Sequence, residues 1–292
     1  MEIWEAELFC KSSLMLGEGA HWHPHWRKFL YVDIEGGEVG SIDPVTGEVT
    51  RRWLGTRVGT VVPADGGCLI AAVQGFICLL DFEEGKLIPL TALEEDKPLN
   101  RCNDGKCDAA GRLWVGTMHV EARPEQGSLY RYDGRLNKAL GGTTISNGIC
   151  WTEDHRTMYY IDSADHRISA YDFDLTTGGI SRPRVVVVLD GPVMPDGMCI
   201  DEEGMLWVAI WGGGCIHRYD PLTGRLIGEV SVGAPHVTSC ALGGEDMRQL
   251  FITTAREGLN REELLRYPDS GSLFIARVPY RGISPNLFKF PL

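Results

Sequence analysis

Residues 206–224 read LWVAIWGGGCIHRYDPLTG. An apolar run (206–210) meets three glycines (212–214), a second run ends in Tyr219 and Asp220, and a Pro/Thr/Gly turn follows. Apolar β-formers broken by glycines are the pattern of a hairpin, and the turn after Asp220 leads into a third strand. The same order recurs at 29–47 (FLYVDIEGGEVGSIDPVTG), at 113–133 (LWVGTM, then GSLYRYD) and at 158–178 (MYYIDSADHRISAYDFDLTTG). Weaker copies lie at 68–82 and 250–278. The copies begin about 40 to 48 residues apart, the period of four-stranded propeller blades. Six such units account for nearly the whole chain, so the expected fold is an all-β, six-bladed propeller of antiparallel blades, one domain over residues 1–292.

A formal net charge of -12, with no basic cluster longer than Arg51-Arg52, opposes nucleic acid and anionic membrane surfaces as partners. The start, MEIWEAELFC, lacks a basic region, a long apolar stretch and a cleavage site, so a soluble, cytoplasmic protein is expected. Nine cysteines sit mostly inside apolar strands (Cys68, Cys78, Cys150, Cys199, Cys215, Cys240), which suits buried thiols in a reducing compartment. Cys102 and Cys107 lack a second pair at zinc-site spacing and read as structural.

A propeller must join its ends. Residues 2–9 are expected to form a strand that completes the last blade from the opposite terminus and covers its edge. Residues 119–126 interrupt blade three, a place where repeat proteins build binding surfaces. In blade six the insertion 256–269 contains LNREELL, which suits one or two helical turns. The tail, 281–292, holds two prolines and no strand pattern and is expected as coil on the outside.

A second regularity runs with the strands. The turns that open the first strands carry Glu18, Asn103, Asn147 and Asp196, with a glycine one or two residues later. Residues at one position in successive blades lie at one depth around the central channel, so these four oxygen-bearing side chains are expected to converge on its axis. Oxygen donors without His or Cys suit a hard divalent cation, calcium first, with magnesium or manganese as alternatives. Asn-Gly and Asp-Gly are also ordinary turn pairs; turn chemistry explains each glycine but does not call for a Glu at position 18. His21, His23 and His25 alternate as strand ligands would, yet Pro24 interrupts them and no fourth ligand is at hand, so they read as strand-end or loop histidines. There is no GxSxG, P-loop, GxGxxG or HExxH, which leaves serine nucleophile chemistry and nucleotide binding without support.

The order and spacing of LGEG (16–19), NDGK (103–106), SNG (146–148), PDGM (195–198), LWVAIWGGG (206–214) and FITTAR (251–256) resemble the senescence marker protein 30/gluconolactonase/luciferin-regenerating family over almost the full length. The resemblance implies one divalent metal held by Glu18, Asn147 and Asp196, with zinc and ferrous iron joining calcium, magnesium and manganese as candidates. It implies hydrolysis of aldonolactones, with Arg101, Asn103 and, in the blade-three insertion, Glu121 holding the sugar. Asp196 is the expected general base. Alternatives are hydrolysis of another small ester or organophosphate, a non-catalytic calcium-binding regulatory protein, and a protein-interaction platform. A closed ring without a central edge is expected as a monomer or weak dimer.

Overall fold

The computed structural model of the protein describes residues 1–290. Six sheets follow one another in chain order, each antiparallel through four strands from an inner strand outward. The inner strands are Gly17–His23, Val58–Pro63, Asn100–Cys107, Ser146–Trp151, Met194–Ile200 and Val237–Gly243. They define six blades around one channel, which is the expected propeller.

Residues 206–224 show how the sequence builds a blade. Leu206–Trp211 and Cys215–Asp220 form the expected hairpin, and Gly212 and Gly214 supply the positive φ of its connection. Asp220 then closes the turn: it accepts from Leu222 N–H at 2.9 Å and Thr223 Oγ1 at 2.7 Å, before Gly224 at φ 71°. Asp174 repeats this with Thr176 and Thr177, and Asp43 with Val45 and Thr46. The side chain of an Asp bonding backbone two or three residues on is the reason for the recurring Asp before each Thr-Gly.

Alternation along the strands fills the spaces between blades. Leu206, Val208 and Ile210 pack into the cluster shared with blade four, whereas Trp207 and Ala209 enter the one shared with blade six. Leu30 and Val32 face blade two; Phe29 and Tyr31 face blade six. Both faces of these strands are therefore buried, which is why they read as continuous apolar runs.

The N-terminal segment does more than the sequence indicates. Glu7–Cys10 pairs antiparallel with Leu273–Arg277 and completes blade six, as expected. Glu2–Glu5 instead pairs parallel with Arg225–Ser231, a fifth strand on blade five. One segment thus clasps two blades. The helix in the blade-six insertion is Arg261–Arg266, and Asn260 and Glu263 form its capping box.

The tail corrects the expectation of outside coil; Pro291 and Leu292 of that stretch lie outside the described residues. Gly282 bridges to Asp201 and Phe288 to Ala64, and Phe288 is fully buried, stacked on Tyr132 at 5.9 Å. Burial of that aromatic draws the segment across the ends of the inner strands, where residues 283–286 wall a cavity of about 100 Å³ with His21, Lys106, Cys150 and Cys199. The tail therefore covers one end of the channel.

Candidate functional site

The expected cluster lies toward the other end of the channel. In each blade the pairing of the inner strand with its neighbour slips near its start. In blades three, four and five two residues face one: Asn103 and Asp104, Asn147 and Gly148, Asp196 and Gly197. In blade one the slip follows Glu18 directly. A bulge re-aims side chains, and here it turns polar residues of buried strands toward the axis. The glycines have a second cause. A Cβ on Gly148 would lie 2.6 Å from the Asp196 carbonyl, and one on Gly197 2.5 Å from Ser239 Oγ. Only glycine lets neighbouring inner strands approach this closely.

Glu18, Arg101, Asn103, Asn147 and Asp196 line one cavity of about 210 Å³, and each is at most 6% exposed. Asn147 is held rigidly: its Nδ2 donates to Ser163 Oγ at 3.0 Å, and Ser163 Oγ donates to the Pro195 carbonyl at 2.6 Å. With the amide nitrogen committed, Oδ1 is the free acceptor, buried and without a partner. Asp196 Oδ1 is likewise buried and partnerless. Glu18 accepts from the Gly19 N–H at 3.1 Å.

Burial pushes the Glu18 carboxyl well above its ordinary range, and the charges of Asp196 and Asp104 push it further. Burial, then Asp104, does the same to Asp196. Orphaned buried acceptors are expensive, and clustered carboxylates repel one another. Three such oxygen donors answer both costs together if they share a cation, and their chemistry suits a hard divalent ion.

Arg101 and Asn103 form a unit beside them. Arg101 Nη1 donates to Asn103 Oδ1 at 2.5 Å and to the Cys102 carbonyl at 3.1 Å, while Asn103 Nδ2 donates to the Ser146 carbonyl at 2.8 Å. The guanidinium is buried and fixed in place.

Glu121 does not join them. Val120 and Ala122 line the cavity, but a turn closed by Ala122 N–H on the His119 carbonyl, with Ala122 at φ 49°, aims the residue between them outward. Its side chain is 64% exposed and takes Arg123 Nη2 at 2.7 Å. The histidines do not converge either: His21 faces the closed end of the channel, and His23 stacks on Trp26 at 4.2 Å.

Asp104, Ser163, Trp211 and Glu257 are not among the site residues expected from the sequence. Asp104 precedes Gly105 as Glu18, Asn147 and Asp196 precede their glycines, a signal that was present in the sequence. Ser163, Trp211 and Glu257 line the cavity from the ends of second strands or just beyond them. Among them Glu257 has its carboxyl raised by burial, an effect that Arg101 opposes.

The model of the SMP-30/gluconolactonase/LRE-like region matches residues 16–256, a span that begins just before Glu18 and takes in Arg101, Asn103, Asn147 and Asp196. The chain belongs to this family. A regucalcin of Macaca fascicularis is 39% identical to it over 278 residues, spanning 92% of this chain and 93% of its own. Among solved structures, a regucalcin of Agrobacterium tumefaciens, described as a calcium-binding protein, superposes with a TM-score of 0.94 at 28% identity over 99% of both chains. A luciferin-regenerating enzyme superposes at 0.90 with 28% identity, over 98% of this chain and 99% of its own. The SMP-30/gluconolactonase/LRE-like assignment agrees with the observed six blades and with the oxygen-lined end of the channel.

Proposed function

We propose that the chain is a divalent-metal-dependent lactonase that opens sugar aldonolactones to aldonic acids. The observation that carries this reading is the pair of buried, partnerless oxygens, Asn147 Oδ1 and Asp196 Oδ1, in the same cavity as Glu18. Glu18, Asn147 and Asp196 would hold the ion, with calcium favoured by an all-oxygen set. When bound, such an ion supplies Lewis acidity toward a carbonyl oxygen.

The chain's own residues do the rest. Asp196 takes a proton from the attacking water as the new C–O bond forms, and returns it to the ring oxygen as the lactone C–O bond breaks. A carboxylate has two oxygens, enough to serve an ion and a proton. Arg101, fixed by Asn103, and Glu257 on the same wall bind the sugar hydroxyls. Leu16, Met118, Val120, Ile145, Met194 and Trp211 line the cavity with apolar surface.

The test is proton release from a panel of sugar lactones by EDTA-stripped protein, with calcium, magnesium, manganese, zinc and ferrous iron added back singly. Turnover that vanishes on stripping and returns with one ion supports the reading. No ion-dependent rate on any lactone removes it. That second outcome, with calcium still bound, favours instead a calcium-binding role like the one in the description of the A. tumefaciens relative.

A further inference from the structure

Away from the channel, we propose a second metal site, for zinc, formed by Cys215, His217 and Glu229 in the outer half of blade five. Their donor atoms lie within 4.8 Å of one another, and no other such group of His, Cys, Asp and Glu donors is found among the described residues.

The strand geometry explains how they meet. Cys215 and His217 are two apart in Cys215–Asp220, so they share a face of the sheet. Glu229, in Arg225–Ser231, stands directly across from His217, and Ser231 across from Cys215. His217 Nε2 lies 3.3 Å from Glu229 Oε2. With zinc bonds of about 2.0–2.1 Å to nitrogen and oxygen, the edge of a tetrahedron is about 3.3–3.4 Å, so these two donors already stand at ligand spacing. The Cys215 sulfur, within 4.8 Å of both, is the donor for a third corner.

Three further features fit a site. His217 Nδ1 lies 2.9 Å from Tyr219 OH, which holds the ring and leaves Nε2 for an ion; metal-bound histidines are commonly oriented through their second nitrogen in this way. Cys215 and Tyr219 are buried in the apolar cluster between blades four and five, a dry and rigid wall. The His217 and Glu229 side chains are 17% and 29% exposed, which gives an ion an entry path and a water its fourth position. A thiol, an imidazole and one carboxylate are a softer set than the oxygens of the channel, so this site selects zinc where the channel favours calcium.

Its place in the fold suggests its use. Ile3 of the N-terminal strand pairs beside Glu229, so an ion here fastens the third and fourth strands of blade five where the clasp attaches. It is a structural site, independent of the lactonase reading.

Cobalt(II) titration of metal-free protein, with the channel kept filled by calcium, tests it. One equivalent should produce a thiolate-to-cobalt charge-transfer band, and a chromophoric chelator should report one zinc bound per chain. Cys215→Ser and His217→Gln should each abolish the band, whereas Glu18→Gln should keep it. Tyr219→Phe should weaken zinc binding roughly 10- to 100-fold. Two ligand variants, each checked by circular dichroism, keep the test intact if one of them misfolds. Absence of the band in wild-type protein, or its survival in both ligand variants, overturns the proposal.

Discussion

Ser163 touches no substrate in the proposed scheme, yet its hydroxyl decides which way Asn147 points. Ser163→Ala removes the acceptor for Asn147 Nδ2 and the donor to the Pro195 carbonyl, bonds of 3.0 and 2.6 Å in a buried setting. Each is worth about 0.5–1.5 kcal/mol net, so the variant should lose roughly 1–3 kcal/mol of stability by that count. The larger consequence concerns the ion. Without Ser163 the amide is free to flip and to present nitrogen where oxygen is needed. Loss of such an orienting partner typically costs about 10- to 100-fold in metal affinity, or roughly 1.4–2.7 kcal/mol. Calorimetric titration of calcium into stripped wild-type and variant protein reads this directly, with urea unfolding run beside it. A variant that binds calcium as tightly as wild type would refute the claim that Ser163 sets the Asn147 carboxamide.

Asp196→Asn should retain the fold and lose most lactone turnover, followed by proton release in the presence of excess calcium. Glu18 and Asp196 have folded-state values raised above their ordinary 4.5 and 3.8, so their contribution to stability is fully present below those values and is lost as pH rises through the raised ones. The melting temperature of metal-free protein should therefore fall from mildly acidic to neutral pH, and calcium should restore it; a flat profile without calcium would count against the crowded-carboxylate account. Glu121→Ala should leave kcat and KM unchanged, because its carboxylate lies outside the cavity and meets only Arg123; a marked rise in KM would return Glu121 to the site. Phe288→Ala should destabilise by about 3–5 kcal/mol, read as a lower urea midpoint, since the fully buried ring anchors the tail across the channel end.

The blades were legible in the chain because their cause is local. Strand periodicity, the Asp before each Thr-Gly turn and the glycines of the hairpins act within one repeat, and the repeat displays them several times. The positions of Glu18, Asn147 and Asp196 were legible for the same reason: one offset in each repeat is one depth in the channel. Three matters depended on geometry that the repeating pattern does not specify. Glu121 and Val120 are neighbours in sequence, and only the turn at Ala122 decides which of them faces the cavity. Phe288 is one of two phenylalanines in a tail without strand pattern, and its burial depends on Tyr132, 156 positions earlier. Cys215 and His217 read as ordinary strand residues until strand register sets Glu229 across from them. Sequence alone therefore determined the repeat, the ring it closes into and the oxygen donors at its axis, because repetition turns local pattern into global position. Tertiary structure decided which loop residue turns inward, what covers the far end of the channel and which side chains meet across strands, because those outcomes rest on a backbone turn, a distant packing contact and strand register that the repeating pattern does not specify.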